Sequence, residues 1–211
     1  MERIGLFPLY MVLYPEAVMP LHVFEDRYKL LINHCFDSKK EFGMTLIDPV
    51  KIFHTGCCAI VSDIFRRYDD GKMDIIIKGT RRFKIMHIID GKEQYLLSDI
   101  EFFDDKPEVQ NESLLIDCIE QYNKIADSLK ELNIEKIDII KLETKVPSFL
   151  ISQKSGLTLY QRQELLEMRS ENLRLEYLRF HLEKVIPMVK EAEWVAKIVK
   201  NDGFMKPDGI K

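Results

Sequence analysis

Apolar residues come in short runs up to about position 103, and beyond position 110 they return every third or fourth residue. The first pattern is that of strands and the second that of helices. Leu6-Phe7-Pro8-Leu9, Leu13-Tyr14-Pro15 and Met19-Pro20-Leu21 read as two short apolar strands broken by prolines. Proline lacks the amide donor and fixes φ, which confines this segment to edge, turn and extended conformations. From Glu25 onward Tyr28, Leu31, Ile32 and Cys35 recur at helical spacing. Phe42 to Ile47 is a further strand, ended by Asp48-Pro49. After Gly56, Cys57 to Arg67 and Met73 to Lys78 flank Asp70-Gly71, and Phe83 to Ile89 and Tyr95 to Phe103 flank Asp90-Gly91. An Asp-Gly pair between β-rich runs signals a hairpin whose two central residues both take positive φ. Tandem hairpins after proline-broken strands and one helix predict a small antiparallel barrel or pseudo-barrel.

Asp104 to Gln110 is polar and reads as a linker, and the chain beyond it is helical. Leu114, Leu115, Cys118, Ile119, Tyr122 and Ile125 form one apolar stripe. A second helix is expected near Lys136 to Lys145, and a third opens at Pro147 and is stopped by Gly156. Thr158 and Gln161 fit a capping box ahead of a helix running to Met168. Ser170 caps a long last helix, Glu171 to about Lys200, which Pro187 should kink or divide. The expected fold class is α+β, with a β pseudo-barrel subdomain over 1–106 and a helical subdomain over 107–211.

Composition narrows the function. The chain is 46% apolar and 31% charged, as in soluble globular proteins, and its net charge of -4 gives no bulk attraction to nucleic acid or membrane. The uncharged stretch Ile4 to Pro15 could be mistaken for a secretory signal. Against that, Glu2 precedes it, Pro8 interrupts it, and no small-x-small cleavage site comes after it. No stretch approaches the roughly 20 apolar residues that cross a bilayer. A cytoplasmic protein with reduced thiols is therefore expected, since the four cysteines form no C-x-x-C pair. His54 and Cys57 lack a second pair to complete a metal site, so no metal and no cofactor are expected. Neither Gly71-Lys72 nor Gly91-Lys92 has the neighbours of a phosphate-binding loop.

The segment Pro8-Leu9 through Tyr14-Pro15 and Pro20-Leu21 to Val23-Phe24-Glu25-Asp26-Arg27-Tyr28 closely resembles the opening of the Lon protease amino-terminal domain. Further motifs stand in the order that family shows: Gly56-Cys57-Cys58-Ala59-Ile60-Val61, Asp70-Gly71, Gly79-Thr80-Arg81-Arg82-Phe83-Lys84-Ile85, and Arg162-Gln163-Glu164-Leu165-Leu166-Glu167 ahead of Leu173-Arg174-Leu175. The resemblance covers roughly residues 4–186 and implies a PUA-like pseudo-barrel with a helical appendix. Glu16 departs from it, standing where the family often has glycine. With no ATPase or peptidase motif in the 211 residues, the chain looks like a stand-alone, non-enzymatic member without catalytic residues.

That resemblance implies recognition of unfolded or degron-bearing polypeptide segments on behalf of a separate protease or chaperone. The expected mode is capture of an extended apolar segment in a groove between barrel and helices, by strand addition at a barrel edge. Phe24, Glu25, Arg27 and Tyr28 are the candidate residues. Glu25 and Arg27, two apart on a helix, would not face each other and would each reach a different partner. The alternative is an RNA-binding module using Arg66, Arg67, Arg81 and Arg82, although Asp63, Asp69 and Asp70 dilute its field. A third reading is a structural subunit docking through the last helix, where Trp194, the single tryptophan, would report association.

Overall fold

The computed structural model describes residues 1–89, 94–129 and 133–200, with the backbone alone at 190 and 193–200. The Asp90-Gly91 turn and the Trp194 side chain lie outside the described residues. In chain order the elements are β1 (Glu2–Leu9), β2 (Val18–Val23), α1 (Asp26–Ser38), β3 (Phe42–Ile47), β4 (Ile52–Arg67), β5 (Met73–Ile89) and β6 (Leu97–Phe102). Helices α2 (Glu112–Ser128), α3 (Pro147–Ser152), α4 (Leu159–Glu167) and α5 (Glu171–Lys200) complete the chain. They form two compact units: Met1–Pro107 with Thr158–Arg169, and Glu108–Leu157 with Ser170–Lys211. Among the described residues no helix is long and apolar enough to cross a membrane.

In the first unit β1, β3, β4, β5 and β6 close a ring, and β2 adds to the outer side of β5. The fold class is the α+β pseudo-barrel expected, with one difference in pairing. β1 and β3 run parallel, because the chain passes between them through β2 and α1 rather than a tight turn. Ile4, Leu6, Cys58, Phe83, Ile85 and Ile100 form one buried cluster within the ring, while Phe42, Cys57 and Ala59 are buried on the opposite face of their strands. Burial pushes the Cys35 thiol up to about 11 and Cys57 to about 12, so these groups serve as small apolar fillers rather than nucleophiles. The 68–72 turn also differs from expectation. Only Gly71 takes positive φ, at 78°, while the Gly71 amide donates to the Tyr68 carbonyl and the Tyr68 amide to Lys72. One glycine next to the closing pair makes a three-residue loop, which does not require Asp70 to leave the right-handed region.

The motif Gly79 to Phe83 ties the ring to α4. Gly79 passes so close to the chain at Tyr14 that a Cβ there would sit 2.1 Å from the Tyr14 carbonyl oxygen. Arg82 is buried, and its guanidinium donates to the carbonyls of Leu166 (3.1 Å) and Met168 (2.5 Å) and to the Asp105 carboxylate (2.5 Å). It thereby satisfies the orphan carbonyls at the end of α4. The Thr158–Gln161 capping box forms at the other end, and Tyr14 donates to the Arg162 carbonyl. Glu16 holds φ at 64°, the region a glycine would occupy without strain. Glu16→Gly is expected to stabilise the protein by about 1 kcal/mol, the relieved strain being partly offset by chain entropy. The midpoint of urea unfolding measures this, and an unchanged or lower midpoint would contradict it.

In the second unit the expected α2 stripe is buried, together with Leu175, Leu178 and Leu182 of α5. Glu171 accepts from the Ser148 amide (2.8 Å) and hydroxyl (2.7 Å) at the start of α3, and Arg174, fully buried, pairs with Glu171 at 2.6 Å. Ser170 caps α5 through the Leu173 amide, and the helix runs through Pro187 without ending. The helix expected over 136–145 is absent: only a 3-10 turn, Ile139–Lys141, forms. Asn123 takes both main-chain groups of Ile137 at 2.9 Å, and Asp138 caps the Ile140 amide. Isoleucine-rich sequence with low helix propensity yields to these side-chain bonds.

Candidate functional site

Beyond Ala59, β4 leaves β3 and continues with the first half of β5 as a hairpin arm, and β2 lies along the other side of β5. Directly opposite residues in antiparallel strands share a face, so the register sorts the side chains. Met73, Ile75 and Ile77 are fully buried on one face. The opposite face carries the rows Val18–Lys78–Ile60, Pro20–Ile76–Asp63 and His22–Asp74–Arg66. Register shifts between Val61 and Asp63, and between Ile64 and Arg66, insert Ser62 and Phe65 as extra residues. A bulge re-aims the inserted side chain, and Phe65 is 56% exposed. Val18 and Ile60 are exposed as well, and Ile76 is half-buried between them. The result is a mixed face on which Lys78 stands between Val18 and Ile60 on the central strand, Ile76 lies in the next row, and Asp63 and Arg66 follow along β4.

A polar corner closes one end of this face. His22 Nδ1 lies 2.6 Å from Asp74, whose other oxygen accepts from the Tyr68 hydroxyl at 2.7 Å. The His22 contact, and then the Tyr68 bond, hold the Asp74 carboxyl below its ordinary range. Phe24, 58% exposed, lies roughly parallel to the His22 ring at 6.1 Å, while Tyr68 meets that ring edge-on and carries Arg66 over its own. Chemically the corner is a set of fixed donors and acceptors beside aromatic surface. Among the described residues no three histidine, cysteine or carboxylate side chains gather as a metal site would require.

The open edge of β2 is less suited to strand addition than expected. The Gly79 amide donates to the Ala17 carbonyl. By the alternation of antiparallel pairing, Met19, Leu21 and Val23 then also face β5, and Val18, Pro20 and His22 turn their main chains to the open side. Pro20 brings no donor to the middle of that edge.

The sequence-derived candidates divide. Phe24 stands at the corner, and Glu25 and Arg27 lie next to it as an ion pair of 2.7 Å. The pairing arises because Glu25 sits in extended conformation just outside α1, so the two residues are not both helical as their spacing suggested. Tyr28 is buried, stacked on Phe7 at 4.0 Å with Arg27 across its ring, and presents no contact surface. Of the basic candidates, Arg81 pairs with Glu41, Arg67 donates to Asn33, and Arg82 is buried in its clamp on α4. Arg82 differs from the other three in that its guanidinium is buried and already bonded to three acceptors. Val18, His22, Ile60, Phe65, Tyr68, Asp74 and Ile76 went unrecognised in the sequence. The alternation in Met73 to Lys78 was a usable signal for the face, whereas the two bulges were not.

Comparison with known proteins agrees with the architecture. Residues 3–184 match the family described as the ATP-dependent protease La (LON) substrate-binding domain. The chain is 22% identical over 203 residues to the Lon protease of Dictyoglomus thermophilum, covering 90% of this chain and 25% of that protein. It is 27% identical to the Lon protease of Flavobacterium johnsoniae, covering 82% of this chain and 23% of that protein. The chain thus spans about a quarter of the length of these curated relatives. Its fold is shared with a Lon N-terminal domain protein from Xanthomonas campestris (TM-score 0.64, 22% identity, 84% of this chain and 97% of that one). The N-terminal domain of a Mycobacterium avium complex Lon protease is similarly close (TM-score 0.66, 16% identity, 86% and 98%).

Proposed function

We propose, for a chain that belongs to the substrate-binding domain family of the ATP-dependent protease La (Lon), that it holds unfolded or degron-bearing polypeptide segments on the outer face of the β2–β5–β4 arm. The family is one of non-catalytic binding domains, and the segment would be passed to a protease or chaperone. One observation carries the reading: Val18 and Ile60 are exposed near half-buried Ile76 on one sheet face, with Phe65 exposed at the neighbouring bulge of β4 and Phe24 exposed beside His22. Exposed apolar side chains gathered among charged ones mark an interaction site. Side-chain burial supplies the affinity, since Pro20 removes a main-chain donor from the neighbouring edge. The polar corner at His22, Tyr68 and Asp74 offers hydrogen bonds to the segment's main chain.

Fluorescence anisotropy with labelled, permanently unfolded casein at low and high salt tests this, with single-stranded RNA as control. Casein binding should change little with salt, because apolar burial is not screened, whereas phosphate-driven binding falls steeply. Val18→Ser combined with Phe65→Ser should weaken it by about tenfold or more at unchanged melting temperature, as expected for removing two interface anchors. Binding untouched by the pair, or binding of RNA alone that salt abolishes, would overturn the proposal.

A further inference from the structure

Residues 135–142 are irregular apart from one 3-10 turn, and side chains of α2 hold them in place. Besides the Asn123 grip on Ile137, the Tyr122 hydroxyl donates to the Glu135 carbonyl at 3.2 Å. This segment, Tyr122 and the end of α3 line an open cavity of about 420 Å³, within the range of roughly 300–1,000 Å³ for small-molecule sites. Its apolar lining is Ile137, Leu142 and Leu150 with the Tyr122 ring. Its charged lining is Glu135, Lys136, Asp138, Lys141 and Lys154. Lys136 is held by Asp127 at 2.6 Å. Lys141 and Asp138 stand 3.6 Å apart, and Asp138 also accepts from the Ile140 amide. Glu135 and Lys154 are left without an ion-pair partner among the described residues, and no ion pair joins them to each other. The Glu135 carboxylate is near Tyr122, whose phenol is held above its ordinary range by burial and then by that charge.

We propose that this cavity binds a small zwitterion with an apolar body, a free apolar amino acid or dipeptide, with its carboxylate on Lys154 and its ammonium on Glu135. Two opposite charges line one cavity and do not meet, so a ligand carrying both signs gives each its complement. The ligand's side chain then displaces water from Ile137, Leu142 and Leu150. A neutral apolar molecule would cover both charges and pair neither. A phosphate-like dianion would meet Glu135 and Asp138 as like charges, and a simple fatty acid would leave Glu135 unpaired. The bonds from Asn123, Tyr122 and Asp138 fix the wall before any ligand arrives, which limits the ordering cost of binding. Both unpaired groups are exposed, so water and salt screen them and the affinity is modest. The cavity is lined by the second unit alone, so it stands whether or not the β2–β5–β4 arm binds polypeptide.

NMR titration of the isotope-labelled full chain tests this, following backbone amide shifts with leucine or leucyl-leucine up to about 10 mM, a span that reaches a millimolar Kd. At least one of the two should bind and shift amides of residues 135–142, and the tighter one tells whether the cavity takes one residue or two. The N-acetyl and the carboxamide forms of that ligand should each bind about tenfold or more weakly, since each loses one charge pair. Lys154→Gln should abolish the preference for carboxylate over carboxamide and leave the preference for free amine over acetyl. Glu135→Gln should do the reverse. Both side chains are exposed, so the circular dichroism spectrum should be unchanged in either variant. An absence of shifts with both ligands overturns the proposal. So do blocked forms that bind as tightly as the free ones, or preferences that survive both substitutions.

Discussion

Arg82→Ala is expected to lower the unfolding free energy by about 3–5 kcal/mol, the range found when one partner of a buried charged network is removed. The substitution leaves the Leu166 and Met168 carbonyls and Asp105 without the guanidinium that now reaches all three. Arg82→Lys should recover little of this, since an ammonium has no planar fork to span three acceptors. Urea unfolding at constant slope measures both. If the alanine variant loses under about 1 kcal/mol, the clamp is incidental and the end of α4 is held by other contacts.

Gly79→Ala should be nearly as damaging, by about 2–3 kcal/mol or more, because the added methyl would overlap the Tyr14 carbonyl oxygen. That neighbour is main chain, so it cannot rotate away. Gly71→Ala offers the contrast. Gly71 has positive φ but nothing closer than the flexible end of Lys29, at 3.6 Å, so only backbone strain of about 1–2 kcal/mol should appear. Equal losses at the two glycines would refute the steric account of Gly79. The G-x-x-R-F motif thus reduces to physical requirements: a backbone crossing at Gly79, a buried clamp at Arg82 and a core ring at Phe83.

Much of this fold was legible because single elements carry simple apolar patterns. The α2 stripe emerges from helical spacing, the Phe42 to Ile47 strand, buried on both faces, from its short apolar run, and the capping box from its side chains. The strand order was not legible, because the parallel β1–β3 pair depends on where the chain goes in between. The false helix over 136–145 failed for a related reason: Asn123, in another element, takes the main chain of Ile137 away from it. At the candidate site the sequence located the corner through Phe24 and its neighbours but missed the face beside it. Two bulges move Ser62 and Phe65 out of the period-two alternation, and a bulge leaves no mark in composition. Arg82 looked like surface charge because arginine is rarely so buried, and two of its three acceptors lie more than eighty positions away.

Those distant acceptors set a timetable for synthesis. The ribosome delivers the six strands by Phe102, yet the α4 carbonyls that complete the first unit arrive about 60 residues later, after the whole of α2 and α3. At ordinary elongation rates of about 5–20 residues per second, the nascent ring waits roughly 3–12 s with the Arg82 guanidinium short of two acceptors. Through that interval the first unit is a substrate for the cell's own quality control, and its maturation is timed by translation of a segment outside the barrel sequence.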